Sequence, residues 1–545
     1  MAKIIDFLKT KKVLFFLFFL FILIRLPALD QIFLLHDERD IVLSGYSIAK
    51  TGKDLYGNRF PLVFDKISPN NPLIAIYYSA IWSLFLPPNV FNARLPFILI
   101  SALLIFLVYD LIFFITKNKT LSLLTTIIFC FSPWIFHLAR LALDIPLAIV
   151  LLLLGILFYF KKKRFLAYLL FSLTFFTYQG FRLLIPFLLI YLELFYFLKN
   201  KNKYSFLKIS LVNLLFYFLL VFLAFNFEPQ ISTNRLQEII FFNYEKNALE
   251  VDFRRMTSLA PAIVDRFFSN KLTVPIDYIL ENTVKAFDPS FLFKKGDDSA
   301  INGNAVGGQF FLTFVIFYFL GIISLGKRAE LKDFYILGFI PVGIIPTLLS
   351  THGASFAIRG ILSTVGYSYL LTLGINFGLS IIQKNKYKKL IIALCFLLLA
   401  SNILTFIYGY YFRRPVTVGE LFNENERQLA GYLQTNEGNK ITIYHNSPKD
   451  LLFSLVFLKN PSSGRLNSAQ TSLSKGLTLD WEGFYFKTCD KTKNYFSLIN
   501  AVVSEKCFEE KEYNNIVEKI SLDKLKADQI YYKDYSDKTA YFIIE

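Results

Sequence analysis

The sequence predicts an all-α polytopic membrane protein carrying a small extracytoplasmic α/β domain at its carboxy-terminal end. Three observations predict it. Hydrophobic residues make up 54% of the 545, mean hydropathy is +0.47, and the apolar residues arrive in blocks about 20 long, which matches roughly 30 Å of hydrocarbon at about 1.5 Å per helical residue. Lysines collect in the short connectors between those blocks. From about Tyr411 the composition turns polar and charged.

The first block, Val13 to Leu29, has a basic leader (Lys3, Lys9, Lys11, Lys12) like a signal peptide. It is long, ends in "RLPALD" without a small-x-small cleavage site, and is followed by further spans, so it reads as a retained helix. The connectors "KNK" (117–119), "KKKR" (161–164), "KNKNK" (199–203), "GKR" (326–328) and "KNKYKK" (384–389) all fall on the cytoplasmic side if the amino terminus does. That positive-inside bias accounts for the net charge of +17, which in a soluble chain would suggest nucleic acid and here implies none.

Threading the chain this way gives about eleven spans: 13–29, 95–116, 121–138, 145–160, 165–180, 182–198, 209–225, 309–325, 334–350, 360–382 and 390–410. Residues 1–410 form the membrane domain, with outside loops 30–94 and 226–308, and residues 411–545 an extracytoplasmic domain of the plasma membrane's outer face. In the first loop, "DERDIVLSGYSIAKTGKDLYG" is helical by pattern with a glycine stop. The apolar "NPLIAIYYSAIWSLFL" that follows is short, and counting it as a span would invert every later connector, so it reads as an interfacial helix. In the terminal domain "KITIYHN", "IYYKD" and "AYFIIE" read as strands and "NENERQLAGYLQ" as helix. Cys489 and Cys507 both fall there, where an oxidising compartment lets them pair, whereas Cys130 and Cys395 lie in spans.

Arginine distribution is the sharpest chemical signal. The cytoplasmic connectors hold only Arg164 and Arg328, yet Arg25, Arg94, Arg140, Arg182 and Arg359 stand at outer ends of spans, where topology disfavours cations. Arginine suits bidentate recognition of phosphate and keeps its charge when partly buried, so an anionic group bound at the outer leaflet accounts for the set. Taken singly, each Arg has a plainer reading: snorkelling to headgroups, or a local pair such as Arg140 with Asp144 at i,i+4 of one helix.

Asp37, Glu38 and Asp144 also lie at the outer interface, where an ionisable group is expensive unless paired or facing water. Asp37 and Glu38 are either a solvated cap favouring the helix dipole or catalytic carboxylates. Asp110 and Glu193 sit deeper and read as packing or headgroup contacts. His36, His137 and His352 fall outside, but on three segments without ligand spacing, so neither a metal nor another cofactor is indicated.

At these residues the chain resembles membrane glycosyltransferases of the GT-C fold, near the protein O-mannosyltransferase and aminoarabinose transferase-like families. The resemblance lies in the order of segments over residues 13–435: the "DE" pair Asp37–Glu38, "AKTGKDLYGNRFPLVF", "NARLPF" with Arg94, "SPWIFHLARLALD" with Arg140 and Asp144, "TYQGFRLLIP" with Arg182, "FDPSFLFKKGD", "GGQFF", and "IPTLLSTHGASFAIRGIL" with His352 and Arg359. It implies an inverting transferase whose donor is a sugar on a polyprenyl phosphate. Asp37 is then the general base, Glu38 orients Arg94 or the acceptor, Arg140 with Asp144 shapes the pocket floor, and Arg94, Arg140, Arg182, Arg359 and His352 hold the lipid phosphate. The acceptor is a hydroxyl of a lipid, glycan or protein. The Phe- and Lys-rich, Trp-poor composition points to an AT-rich bacterium and an undecaprenyl-type donor. Two rival classes share an anion site: a lipid-linked sugar flippase, which a midplane site and repeated broken helices would mark, and an O-antigen ligase or polymerase using a lipid diphosphate, against which the "DE" pair speaks.

Overall fold

The computed structural model describes residues 2–64, 67, 71–200, 203–328, 330–351, 357–383, 386–436, 438–475, 479–490, 495, 498, 500–509, 512–514, 528–531 and 538–544. The chain divides into two compact units. One comprises residues 1–27, 70–72 and 97–410; the other joins Ala28–Pro69 and Leu73–Pro96 to Tyr411–Glu545. Most of residues 30–94 therefore belongs to the same unit as the carboxy-terminal residues.

The first unit is helical. Among the described residues, six helices are long and apolar enough to cross a membrane: Val90–Thr116, Gly180–Leu198, Phe206–Phe227, Leu331–Leu348, Ser363–Ile382 and Lys388–Thr417. Shorter apolar helices, Lys119–Cys130, Asp144–Phe160, Arg164–Thr177 and Phe314–Lys327, stand where further spans are expected, as does Ala2–Leu23 at the start. The chain is a multi-pass membrane protein. Local signals set the helix ends: Asn118 Oδ1 accepts the N–H groups of Thr120 and Leu121 (3.0 and 3.1 Å) to open Lys119–Cys130, and Ser132 caps Pro133–Leu138 through Ile135 N.

Small residues let the spans approach. A Cβ on Gly374 would run into the Phe317 carbonyl and one on Gly321 into that of Leu370, so these glycines seat the 314–328 helix against 363–382, as small residues do where apolar burial gives helices no preference for one another over lipid. Three other helices meet at Glu193, which forms an ion pair with Arg164 at 2.8 Å and accepts a hydrogen bond from Tyr159.

The second unit is built on a six-stranded mixed sheet. Its strands are β1 (Ile441–His445), β2 (Leu479–Trp481), β3 (Phe484–Thr488), β4 (Ala501–Ser504), β5 (Asp528–Tyr531) and β6 (Thr539–Ile544), in spatial order β2-β3-β1-β4-β6-β5. β1 runs parallel to β3 and β4, with Ile443 opposite Phe486 and Val502; β6 pairs antiparallel with β4 and β5. β4 and β6 are buried along their whole length, the continuous apolar pattern of strands covered on both faces. A disulfide joins Cys489 and Cys507.

Against this sheet domain packs the first-loop helix His36–Thr51, touching Pro448–Leu458 and Ser463–Lys475. It stops at Gly52, whose left-handed backbone (φ 67°) turns its N–H back to the Ile48 carbonyl at 2.8 Å. Leu73–Ser83 lies across it at Gly45, where a Cβ would meet Ala80 N and Ile76 O at 2.8 Å.

Candidate functional site

The sequence "HDERD" opens the 36–51 helix, and its side chains part ways. Asp37 and His36 are exposed, whereas Glu38, Arg39 and Asp40 are buried. Glu38 reaches back to the Leu35 N–H at 3.0 Å, the return half of a capping box. Its two oxygens also take the fork of Arg94, from Nε at 2.8 Å and from Nη2 at 2.7 Å. Arg94 spends its other donors on the carbonyls of Leu29, Ile32 and Phe33 at 2.7–2.9 Å. One ion pair thus fixes the irregular chain leading into the helix.

Arg39, fully enclosed, does the same on the other side. Nε and Nη2 donate to Asp40 Oδ1 at 3.0 and 2.8 Å, and Nη1 donates to the Asp450 carbonyl at 2.7 Å and to Ser454 Oγ at 3.0 Å. Burial lifts the neighbouring carboxyls: Asp40 rises to about 6 although Arg39 pulls it down, and Glu426 to about 7. Burial pushes His445 down to about 4, and its Nδ1 accepts the Ser447 N–H at 3.0 Å.

In the helical unit, four of the segments singled out by sequence meet at Trp134. Its N–H bonds the Gln309 carbonyl at 3.1 Å, its indole N–H the Ala357 carbonyl at 3.1 Å, and its ring packs edge-on to Phe291 and Phe310. The Ala357 N–H in turn donates to Asp297, whose carboxyl burial raises to about 6. "SPW", "FDPSFLFKKGD", "GGQFF" and Ala357 are therefore one packed junction.

Each remaining arginine has an identified hold. Arg182 Nη2 pairs with Glu228 Oε2 at 2.8 Å, and Glu228 also accepts from Asn71. Arg359 Nη2 pairs with Glu238 Oε2 at 2.8 Å, and its Nη1 donates to Ser350. Arg140 Nη1 donates to the carbonyls of Arg25 and Pro27 at 2.6 and 2.9 Å. Arg25 is buried, its guanidinium 3.4 Å from the Phe21 ring centroid and donating to the Cys130 carbonyl at 2.7 Å.

Two expectations change. Arg140 and Asp144 do not share a helix: Arg140 lies in the turn after Pro133–Leu138, and Asp144 opens Asp144–Phe160 behind an extended Leu143 (ψ 170°). Arg94, expected to hold a phosphate, is enclosed by Glu38 and three carbonyls. His352 lies outside the described residues. His137 has both ring nitrogens engaged, with Tyr410 Oη at 3.0 Å and the Ile301 carbonyl at 2.9 Å.

Glu228, Glu238 and Arg39 do not stand out by sequence pattern. The first had a readable signal, an acid immediately behind the apolar run ending at Phe227.

No protein-family model matches the chain, and no curated protein matches it. Solved structures do. ArnT from Cupriavidus metallidurans bound to undecaprenyl phosphate aligns over 98% of this chain and 97% of its own, at 12% identity and a TM-score of 0.47. The oligosaccharyltransferase of Archaeoglobus fulgidus in the apo form aligns over 82% of this chain and 64% of its own, at 12% identity and a TM-score of 0.44. The archaeal oligosaccharyltransferase AglB of the same organism, in complex with an inhibitory peptide and a dolichol-phosphate, aligns over 83% and 64%, at 12% identity and a TM-score of 0.42.

Proposed function

We propose that the protein is an inverting glycosyltransferase of GT-C type, which moves a sugar from a polyprenyl-phosphate donor to a hydroxyl acceptor at the outer face of the plasma membrane. The observation that carries this reading is the division of the acidic pair: Glu38 is committed to Arg94, while the adjacent Asp37 is presented at the surface. Glu38 serves the cap through the Leu35 N–H as well as pairing with Arg94, so capping accounts for Glu38 and does not account for the exposed position of Asp37. The ordered segments shared with the family and the arginines at the outer ends of spans support the same conclusion.

The chemistry follows residue by residue. Asp37 takes the proton of the acceptor hydroxyl as its oxygen attacks the anomeric carbon, the carbon–oxygen bond to the lipid phosphate breaks with its electron pair staying on the phosphate, and configuration inverts. The resemblance assigns the lipid phosphate to Arg182 and Arg359, each paired with a glutamate, and preorganised donors contribute most where charge grows on a leaving phosphate. A base of this kind contributes about 10² to 10⁴ in rate.

The test is transfer from radiolabelled polyprenyl-phosphate sugars in nanodiscs, comparing wild type with Asp37→Asn and Arg359→Ala. Loss of transfer in Asp37→Asn with donor binding retained supports the reading. Full activity in that variant, or a wild type that only moves lipid between leaflets, sinks it in favour of the flippase.

A further inference from the structure

Residues 411–545 acquire a role through the bonds they make to the acidic segment. Residues 24–35 carry no helix or strand, so their peptide groups must find partners elsewhere. Glu424 Oε2 accepts the buried Phe33 N–H at 3.1 Å. Asn423 Nδ2 donates to the next residue's carbonyl, Leu34 O, at 2.9 Å. Arg427 donates to the Asp30 carbonyl at 3.2 Å, and beyond Asp37 the Asp450 carbonyl and Ser454 hold Arg39.

Asn423 stands in the left-handed region at φ 53°. Glycine takes that conformation more cheaply than any other residue, so what asparagine adds there is its side-chain amide, and that amide is spent on Leu34. Arg94 and Glu38 grip the same stretch from the side of the first loop. The Phe33–Leu34 peptides, a few residues ahead of Asp37, are thereby held from both sides.

We propose that Asn423 and Glu424 are positioning residues for Asp37, and that residues 411–545 form a frame setting where the base stands; this rests on the reading of Asp37 given above. Displacement of a reacting group by 1 Å lowers rates by about 10², which is what a loosened segment would do.

The experiment uses the full chain in nanodiscs with radiolabelled polyprenyl-phosphate sugar, and reads kcat, KM and amide hydrogen exchange across residues 29–40. Asn423→Gly removes the bond and keeps the backbone shape. Glu424→Ala removes the acceptor, and Glu424→Gln keeps an oxygen for the Phe33 N–H. Asn423→Gly and Glu424→Ala are expected to lower kcat by about 10- to 100-fold with donor KM within about twofold, and to speed exchange at the Phe33 amide by about tenfold. Glu424→Gln should recover most of both. A wild type that transfers no sugar refutes the reading of Asp37. An active wild type whose Glu424→Ala form keeps its kcat, or whose exchange across 29–40 is unchanged, refutes the frame, as does a Glu424→Gln form no better than Glu424→Ala.

Discussion

Arg39 and Arg94 differ from Arg182 and Arg359 in how completely they are enclosed. The first two have side chains 0% and 5% exposed, and their donors are distributed over carboxylates and backbone carbonyls. The other two are each 13% exposed and paired to one glutamate apiece. A guanidinium has five donors in a fixed fork. When fixed acceptors consume them in a buried site, the charge has become scaffolding; Arg182 also gives Nε to the Phe175 carbonyl and Arg359 Nη1 to Ser350, so these two differ from the first pair in exposure and not in lacking partners. The same division separates Glu38 from Asp37. Burial, which sequence does not display, separates the charges that hold the backbone from those that stand nearer the surface.

That contrast can be broken most sharply at the acidic pair. Asp37→Asn should reduce kcat by about 10² to 10⁴ while leaving thermal stability near wild type. Glu38→Gln should do the reverse in kind, lowering unfolding stability by about 3 kcal/mol because Arg94 is left buried without its counter-charge. If Glu38→Gln melts like wild type, the claim that it is scaffolding fails.

Next in size come the partly exposed arginines. Arg182→Lys and Arg359→Lys keep the charge but lose the planar fork, and kcat/KM for the donor should fall by about tenfold, with alanine worse than lysine. An equal response at Arg39→Lys, measured as donor KM, would erase the distinction.

The smallest effect tests the buried surroundings of Arg39. Glu426 has its folded pKa raised from 4.5 to about 7, so the native state holds the extra proton and stability falls as pH rises from about 4.5 through 7. Asp40 acts in the same direction up to about 6, and His445, lowered to about 4, acts in the opposite one below 6.5. Glu426→Gln isolates the first: its unfolding midpoint should equal wild type at pH 5 and exceed it at pH 8, by on the order of 1 kcal/mol. A variant less stable than wild type at pH 8 would mean that the ionised carboxylate supports Arg39.

Much of the helical architecture was legible because it rests on local signals. Apolar runs of span length and lysine connectors place the helices, and a glycine, Gly52, ends the first-loop helix inside the stretch read as helical. Strands β1 and β6 were visible as short β-branched and aromatic runs. The site was legible only as a set of types. That Asp37 and Glu38 would be treated oppositely depends on Arg94, and on Asn423 and Glu424 some 390 residues away, contacts with no local periodicity to announce them. Arg39 was passed over for the same reason, being one basic letter among acids until Asp450 and Ser454 close around it. The break at residues 139–143 falls between the spans expected at 121–138 and 145–160, and the extended backbone of Leu143 makes it although "HLARLALD" by itself has the spacing of a helix.

The second unit draws on both ends of the chain, Ala28–Pro96 in large part and Tyr411–Glu545, and this has a consequence during biosynthesis. A ribosome adding about 5–20 residues per second needs tens of seconds to pass from Asp40 to Tyr411. For most of that interval the acidic segment and Arg94 have both been made, while Asn423 and Glu424 do not yet exist. A nascent chain therefore carries Asp37 in a half-built setting until residues 423 and 424 are made.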